Sequence, residues 1–260
     1  MDKAKVTLHW LNASRAQRML WLMVELKVPY ELEIYHREKT AFAPPELKKV
    51  HPLGKSPIIT IELPTPGAEP IVLAESGFIT EYLCEHWGRG TTLVPKQWQE
   101  GKENQLGGET AAYLRYKYLL HFAEGTMMPY LVFFLVTSNL KSTQVPWYIR
   151  PISTAIANKI NAGFILPNVR RNLELIENFL ANPPSAEDGT GYLCGGHLTA
   201  ADILLSFPLI ASRMRAAALG DLAAEFPKTF EYIERLEKEP GYVASIKKVE
   251  EIDGKFSSLL

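Results

Sequence analysis

The chain has few cysteines, no excess of either charge and no long apolar run. Its 260 residues include two cysteines, Cys84 and Cys194, which are far apart and form no Cys-x-x-Cys pair. Such usage is typical of a reducing intracellular compartment. The formal net charge is −1, so the composition offers no basic face of the kind that nucleic acid selects. We therefore expect no nucleic-acid partner.

Signals for export, membrane insertion and metal binding are also missing. The first residues lack the apolar core of a signal peptide. The most apolar stretch, 127–136, contains Pro129 and is shorter than the roughly 18 residues that a membrane span needs. The six histidines are dispersed and form no His-Glu-x-x-His. We expect a cytoplasmic protein with no transmembrane segment and no metal, and peripheral attachment to a membrane stays open.

The first third of the chain alternates strand and helix patterns. Strands are predicted at 5–10, 30–35, 58–63 and 70–73, and helices at 14–27, 44–50 and 75–86. A helix joins the first two strands, which should therefore be parallel, whereas a Pro-Thr-Pro-Gly turn joins the last two, which should be antiparallel. This β-α-β-α-β-β-α order predicts an α+β domain of the thioredoxin-like kind, with a mixed four-stranded sheet, over residues 1–88.

The rest of the chain has a helical pattern. Residues 89–98 form a predicted linker by composition, and helical periodicity dominates from 99 to 260. The predicted helix breaks lie near Gly125, at 142–146, at 181–191, and at Pro227 and Pro240. An all-α domain over 99–260 is therefore expected.

Two short segments of the first domain together predict a binding surface. Residues 51–59 are His-Pro-Leu-Gly-Lys-Ser-Pro-Ile-Ile, and residues 73–77 are Leu-Ala-Glu-Ser-Gly. Pro57 precedes an apolar strand. There it marks either an edge or turn residue or a cis Ser56–Pro57 bond, which would turn the backbone of Ser56 toward a ligand. The latter arrangement would leave a free edge that can pair with an extended peptide.

Charged and hydroxyl side chains accompany both segments. Glu75 and Ser76 open a helix, either as an ordinary N-terminal turn or as a γ-glutamyl site, with Glu75 for the ammonium and Ser76 for the carboxylate. Lys55 is either a surface lysine or a cation for a ligand carboxylate. A phosphate loop is excluded, because Lys49 stands five residues before Gly54, where that motif needs its first glycine.

Ser14 follows the first strand and opens the first helix, at capping-box spacing from Gln17. It either only caps that helix or also donates a hydrogen bond to a bound thiolate, which the helix dipole favours. A free thiol titrates near 8.5. Lowering that pKa by roughly two units takes about 2.7 kcal/mol of preferential thiolate binding. Asn12, two residues earlier, is the alternative donor.

The helical half offers one structural motif and one weaker site prediction. Thr199 and Asp202 have capping-box spacing, which we assign to folding. Tyr113 and Tyr116 are either core or interface residues or substrate contacts.

Four stretches taken together resemble the cytosolic glutathione transferases, and most closely their fungal and bacterial group with yeast-like sequences. They are residues 8–22, 44–57, 73–79 and 198–208. The resemblance covers nearly the whole chain. It implies a thioredoxin-like domain, an α-helical domain, a homodimer and glutathione as co-substrate.

The resemblance also assigns roles to residues of this chain. It implies that Pro57 is cis, that Ser56 pairs its backbone with the cysteinyl unit, and that Lys55 reaches glutathione. Glu75 and Ser76 would hold the γ-glutamyl end. Ser14 matches the position of the catalytic serine in serine-type members.

The implied reaction is conjugation of glutathione to a small hydrophobic electrophile, as in detoxification. The helical domain would supply the second-substrate site and dimer contacts. Neither tyrosine nor cysteine stands at the catalytic position, where Ser14 is found, and a cysteine there would favour thiol–disulfide exchange. A glutathione-dependent peroxidase or lyase, and a non-catalytic ligand-binding or regulatory protein, are the alternatives.

Overall fold

A computed structural model describes residues 4–185, 189–215, 219 and 221–256, and its N-terminal part contains four strands and three helices. The strands are β1 (Lys5–Leu11), β2 (Tyr30–Tyr35), β3 (Ile58–Glu62) and β4 (Ile71–Ala74). The helices are α1 (Ala16–Glu25), α2 (Leu47–Val50) and α3 (Ser76–Trp87). The predicted β-α-β-α-β-β-α order is confirmed.

The strands form one mixed sheet in the order β2-β1-β3-β4. β1 is parallel to β2 and antiparallel to β3, and β3 is antiparallel to β4. Both strand orientations predicted from the connections are therefore confirmed, as is the thioredoxin-like fold class.

Both faces of the sheet are covered. In β1, Val6, Leu8 and Trp10 are buried at 0–1% exposure, and α1, buried along Ala16–Met23, packs against this strand. An apolar cluster of Leu11, Leu47 and Ile58 joins β1, α2 and β3. Alternation along the strands and the helical period of α1 therefore produce the layers that the sequence predicts.

The other regular elements in the described residues are helices, apart from two isolated β-bridges. The helices are α4 (Ala111–Phe122), α5 (Met128–Asn139), α6 (Arg150–Ile160), α7 (Leu166–Ala181), α8 (Ala200–Met214), α9 (Leu222–Glu225), α10 (Pro227–Lys238) and α11 (Pro240–Asp253). Two π-helical turns, Ala123–Met127 and Asn161–Ile165, join α4 to α5 and α6 to α7.

The helix break predicted near Gly125 is wrong. α4, the π-helical turn and α5 run as one helix, Ala111–Asn139. A π-helical turn accommodates an extra residue without ending the helix. The breaks predicted at Pro227 and Pro240 are confirmed, since both residues begin helices.

The helix Ala111–Asn139 is long and apolar enough to cross a membrane by length and composition alone, although 44% of its most apolar window is buried. A single helix of this kind is weak support for a membrane span, because core helices of globular proteins pass the same test. The expectation of no transmembrane segment stays a prediction.

The chain divides into two compact units. The first contains Met1–Lys96, His197–Phe207 and Glu234–Leu260, and the second contains Gln97–Gly196 and Pro208–Ile233. The end of the first segment lies within the predicted linker 89–98. The division into domains at 1–88 and 99–260 nevertheless differs from these units, because later helical segments belong to the first one.

The last helix explains part of that difference. α11 packs against α1, where Gln17 Nε2 donates to Ser245 Oγ at 2.8 Å and the Trp21 ring meets Tyr242 edge-on at 5.2 Å. Gly241 permits this approach, since a Cβ there would collide with the carboxylate of Glu25. Periodicity alone does not reveal such contacts between residues that are distant in sequence.

The predicted structural motif of the helical half is formed. The backbone N–H and the hydroxyl of Thr199 both donate to Asp202 Oδ2, at 2.7 and 2.5 Å, and Asp202 is fully buried. This is the reciprocal half of a capping box, and it fixes the start of α8.

Candidate functional site

Strand pairing places three predicted site segments at one end of the sheet. His9 of β1 pairs with Ile58 of β3, and Ile58 pairs with Ala74 of β4. The end of β1, the start of β3 and the end of β4 are therefore neighbours. Residues 12–14, 55–57 and 75–76 directly follow or precede these strand ends.

Ser14 lies at the start of α1, with 5% of its surface exposed. Its Oγ accepts a hydrogen bond from the backbone N–H of Ala16 at 3.1 Å. The predicted capping box with Gln17 is not formed, because Gln17 Oε1 accepts no hydrogen bond while its Nε2 donates to Ser245 Oγ. Ser14 therefore stabilises the first turn through the N–H two residues later. Because its oxygen only accepts in this contact, its own hydroxyl proton stays available to an acceptor.

The hydroxyl groups of Ser14 and Ser56 are in contact. Their Oγ atoms lie 3.2 Å apart, and either can be the donor. The peptide bond between Ser56 and Pro57 is cis. Two residues that are 42 positions apart in sequence, and that were predicted independently as site residues, are thus hydrogen-bonded partners.

Asn12 is tied to the segment that follows β2. Its Oδ1 accepts the backbone N–H of Arg37 at 2.8 Å. The Nδ2 group of Asn12 makes no hydrogen bond to any residue in the described part of the chain. The carbonyl of this side chain is therefore structural, whereas its amide protons remain available to a ligand.

Arg37 is a residue of this site that sequence reasoning missed. Its Nε donates to Asn12 O at 3.2 Å, its Nη2 to Ala13 O at 3.2 Å, and its Nη1 to Ala41 O at 2.9 Å. Burial, with a smaller contribution from the neighbouring Arg15, lowers the pKa of Arg37 from its ordinary value. One guanidinium thus holds the two carbonyls that immediately precede Ser14.

The backbone of this loop is in an uncommon conformation. Ala13 has a φ of 47°, in the left-handed region, which costs a non-glycine residue roughly 1–2 kcal/mol. The hydrogen bonds from Arg37 to Asn12 and Ala13 compensate for part of this cost. The position of Ser14 therefore depends on a residue that lies outside its own loop.

Glu75 directly precedes α3, the second helix of the site. Its φ is 71°, also in the left-handed region, and its side chain does not cap the helix. The side chain is exposed and has no hydrogen bond or ion pair with any described residue. The backbone N–H groups in the first turn of α3 have no intrahelical acceptors. A carboxylate and a set of N–H donors therefore stand side by side.

Ser76 is hydrogen-bonded to a buried arginine. Arg18, which is fully buried, donates from Nη2 to Ser76 Oγ at 2.8 Å and from Nη1 to Leu204 O at 2.6 Å. Ser76 itself is 3% exposed. The sequence signal for Arg18 was a charged residue next to the apolar face of α1. A buried guanidinium needs hydrogen-bond acceptors such as these two oxygens.

Lys55 is exposed and makes no contact with any described side chain that would hold it. Gly54, before it, has a φ of 56°, and a Cβ there would lie 2.7 Å from Lys48 Cγ. The turn therefore requires glycine, and it presents Lys55 to solvent beside Ser56.

The two tyrosines of the predicted second-substrate site lie in the second unit. Their rings are 6.2 Å apart, but Tyr116 is only 3% exposed, whereas Tyr113 is half-buried. Tyr116 therefore belongs mainly to the core of its own unit. A substrate contact by Tyr113 stays a prediction.

A polar cluster lies in the sheet near the site. His9 Nε2 contacts Thr60 Oγ1 at 2.8 Å and its Nδ1 contacts the Tyr35 hydroxyl at 3.2 Å, while Tyr35 donates to Glu33 at 2.6 Å. Burial lowers the pKa of His9, although Glu33 opposes the shift. Burial and the hydrogen bond to Glu33 raise the pKa of Tyr35. The net shift favours the neutral form of His9 inside the sheet.

Among the residues that the structure describes, no group of three or more His, Cys, Asp or Glu side chains could hold a metal ion. The two cysteines, Cys84 and Cys194, are buried and form no disulfide.

Comparisons with known proteins identify the class to which this fold and site belong. The model for the glutathione S-transferase N-terminal domain matches residues 5–85, and the model for the glutathione S-transferase C-terminal domain matches residues 145–248. The chain is 31% identical to Glutathione S-transferase 1 of Saccharomyces cerevisiae over 251 residues, which is 96% of this chain and 98% of the relative.

Solved structures agree with this result. A glutathione S-transferase from Actinobacillus pleuropneumoniae has 27% sequence identity and a TM-score of 0.68, covering 94% of this chain and 93% of its own. A glutathione transferase family member from Pseudomonas fluorescens, with two glutathione bound, has 21% identity and a TM-score of 0.64, covering 92% and 91%. The second structure supports the fold alone.

The chain belongs to the glutathione S-transferase family. The predicted resemblance to its yeast-like fungal and bacterial group is confirmed by the relatives, and so is the expectation of an enzyme of the glutathione transferase class.

Proposed function

We propose that the protein binds glutathione at the shared end of its sheet and stabilises the thiolate for attack on a small hydrophobic electrophile. The observation that carries the proposal is the buried hydroxyl of Ser14 at the start of α1, 3.2 Å from the hydroxyl of Ser56. Two hydroxyl groups and a helix N-terminus at one point provide hydrogen bonds and a favourable dipole for an anion.

The energetic requirement is modest. A charge-assisted hydrogen bond contributes about 1.5–3 kcal/mol, and the N-terminus of a helix adds roughly 0.3–1 kcal/mol. Their sum is similar to the approximately 2.7 kcal/mol that lowers a thiol pKa by two units. In this proposal Ser14 stabilises the thiolate and is not the attacking nucleophile.

The other end of glutathione would lie at the start of α3. The exposed carboxylate of Glu75 suits the ammonium of the γ-glutamyl unit, and the N–H groups at the start of α3 suit its carboxylate. Ser76, which is fixed by Arg18, keeps its own hydroxyl proton to donate. Between these two ends, Ser56 would pair with the cysteinyl unit and Lys55 would reach a ligand carboxylate.

The chain would act as a cytoplasmic homodimer, with residues 1–88 as the glutathione-binding domain and 99–260 as the domain of the second substrate, including Tyr113. The separate matches to an N-terminal and a C-terminal glutathione S-transferase domain support the division of labour between the two parts of the chain.

The proposal is tested by turnover of a chloronitrobenzene electrophile with glutathione. We expect Ser14→Ala to lower kcat/KM roughly ten- to a hundredfold near neutral pH, because one hydrogen bond to the thiolate is lost. Ser138→Ala is the matched control. Its hydroxyl donates to Phe134 O within α5, away from the proposed site.

The alternatives give different results in the same series of assays. Turnover of hydroperoxides or ethers without electrophile conjugation would favour a peroxidase or a lyase. Retention on glutathione resin with no turnover would favour a regulatory or carrier protein. A loss of conjugation in Asn12→Ala but not in Ser14→Ala would transfer the donor role to Asn12.

A further inference from the structure

The last helix of the first unit, α11, ends beside the start of the proposed thiolate site. Its contacts with α1 run in opposite orders along the two helices: Gly241 lies against Glu25, Tyr242 against Trp21, and Ser245 against Gln17. The two helices are therefore antiparallel. The C-terminal end of α11 consequently lies toward the start of α1, where Ser14 is located.

The C-terminal end of α11 is joined to the segment that follows β2. Asp253, the last residue of α11, contacts His36 through Oδ1 and Nε2 at 3.0 Å, and its side chain is only 13% exposed. Gly254 then turns the chain with a φ of 76°. Phe256 packs against Trp10 of β1, with 6.4 Å between the ring centroids. The end of α11 is thus attached both to β1 and to the residue after β2.

His36 immediately precedes Arg37, the residue that fixes the loop before α1. The backbone N–H of Arg37 donates to Asn12 Oδ1 at 2.8 Å, and its guanidinium donates to Asn12 O and Ala13 O, each at 3.2 Å. On the other side of His36, the carbonyl of Tyr35 accepts the N–H of Asn12 at 3.2 Å. Because these contacts flank His36, a displacement of His36 would alter the support of the whole loop.

The place of this ion pair matters more than its strength. Residues 36–46 contain no helix or strand, so neither a strand ladder nor helical hydrogen bonds hold Arg37 in place beyond β2. The ion pair joins the start of this segment to α11. A partly exposed pair contributes little to global stability, but it can restrict a segment that has few other restraints. We therefore expect a local effect at the loop rather than a large effect on unfolding.

We propose that Asp253 and His36 are positioning residues for Ser14. Their ion pair fixes the start of the segment after β2, and Arg37 transmits this position to the two carbonyls before Ser14. The hydroxyl of Ser14 is thereby held toward the bound thiol. The last helix thus supports the proposed reaction without contributing a group that touches glutathione. The chemical consequence rests on the proposed function, whereas the structural linkage does not.

The direction of the effect on the thiol separates positioning from simple electrostatics. Removing a carboxylate from the region of a thiolate reduces charge repulsion, which by itself lowers the thiol pKa. Loss of positioning acts in the opposite direction, because the Ser14 hydroxyl then donates less well to the thiolate. We expect Asp253→Ala to raise the thiol pKa of bound glutathione by about half a unit. Asp253→Asn keeps an oxygen acceptor for His36 and should restore most of the wild-type value.

Two further variants test the route through Arg37. Glu250→Ala removes an exposed carboxylate one turn earlier on α11, and it should not raise the thiol pKa. Arg37→Met combined with Asp253→Ala should raise the thiol pKa no further than Arg37→Met alone, because two changes along one linkage are not additive. Additive shifts would show that Asp253 acts independently of Arg37 and would overturn the proposal.

Hydrogen–deuterium exchange on the ligand-free chain tests the linkage without glutathione. The amides of residues 12–17 and 35–37 should exchange about threefold faster in Asp253→Ala than in the wild type. Unchanged exchange in β3 and β4 shows that the variant is folded. Faster exchange at the loop, together with an ordinary thiol pKa in the wild type, would contradict the proposed function and still support the linkage. Unchanged exchange in both segments would overturn the inference, whatever the thiol pKa.

Discussion

Two helices, α1 and α3, begin at the same end of the sheet, and their first turns are built differently. At α1, the buried hydroxyl of Ser14 accepts the Ala16 N–H and contacts Ser56. At α3, the exposed carboxylate of Glu75 makes no contact with described residues, and only Ser76 behind it is fixed. Both helix starts favour anions through the same backbone dipole.

The same structural element, the start of a helix, thus acquires two different specificities. A buried hydroxyl with one open donor suits a small, weakly solvated anion such as a thiolate. An exposed carboxylate beside unpaired N–H groups suits a group that carries both charges, such as an amino acid. In each case a distant arginine, Arg37 for α1 and Arg18 for α3, fixes the residues at the start of the helix.

The largest expected effect comes from removing the buried support of α3. Arg18→Met should lower the free energy of unfolding by about 3–5 kcal/mol, because it leaves buried polar partners of the guanidinium unsatisfied. Urea unfolding followed by circular dichroism measures this loss. A variant as stable as the wild type would show that Arg18 does not support Ser76 as described.

The corresponding change at α1 should have a smaller effect on stability and a distinct effect on chemistry. Arg37→Met removes the donors to Asn12 O and Ala13 O, so we expect a loss of about 1–2 kcal/mol and a raised pKa for the thiol of bound glutathione. Arg37→Lys should restore little of the lost stability or of the lowered thiol pKa, because an ammonium cannot reproduce the planar fork of donors. Recovery of the wild-type thiol pKa in Arg37→Lys would contradict this positioning role.

The smallest expected effect concerns His9, which lies on β1 before the Ser14 loop. Its pKa is lowered in the fold from the ordinary 6.5, so the unfolded chain binds its proton more readily. The stability that this group contributes is therefore present above pH 6.5 and is lost as the pH falls through the lowered pKa. Urea unfolding at about pH 5 and about pH 8 should show a weaker pH dependence in His9→Gln than in the wild type.

Local patterns in the sequence predicted the elements of the first unit closely. Alternation, helical spacing and turn residues depend on neighbouring positions, so they placed β2 at its observed bounds, Tyr30–Tyr35, and brought the site segments to one end of the sheet. The same kind of reasoning was wrong at Gly125. There a π-helical turn lets the helix continue, although the composition had suggested that the helix would end.

Contacts between distant residues account for what the sequence did not predict. The capping box of Ser14 is not formed: the side chain of Gln17 is oriented by its bond to Ser245, 228 positions later, and its Oε1 accepts no hydrogen bond. Arg18 and Arg37 were missed for the same reason, since Leu204 and the carbonyls before Ser14 become their partners only in the folded chain. Single-residue patterns contain no information on these pairings.

The two helix starts can be compared in one experiment. The pKa of the glutathione thiol, from thiolate ultraviolet absorbance, and the Kd of glutathione should be measured in wild type, Ser14→Ala and Glu75→Gln. We predict that Ser14→Ala raises the thiol pKa by roughly one to two units, with little change in the Kd measured at a pH well below the thiol pKa, where bound glutathione is protonated. Glu75→Gln should weaken Kd about tenfold and leave the thiol pKa unchanged. An unchanged thiol pKa in Ser14→Ala would contradict the central claim that the start of α1 stabilises the thiolate.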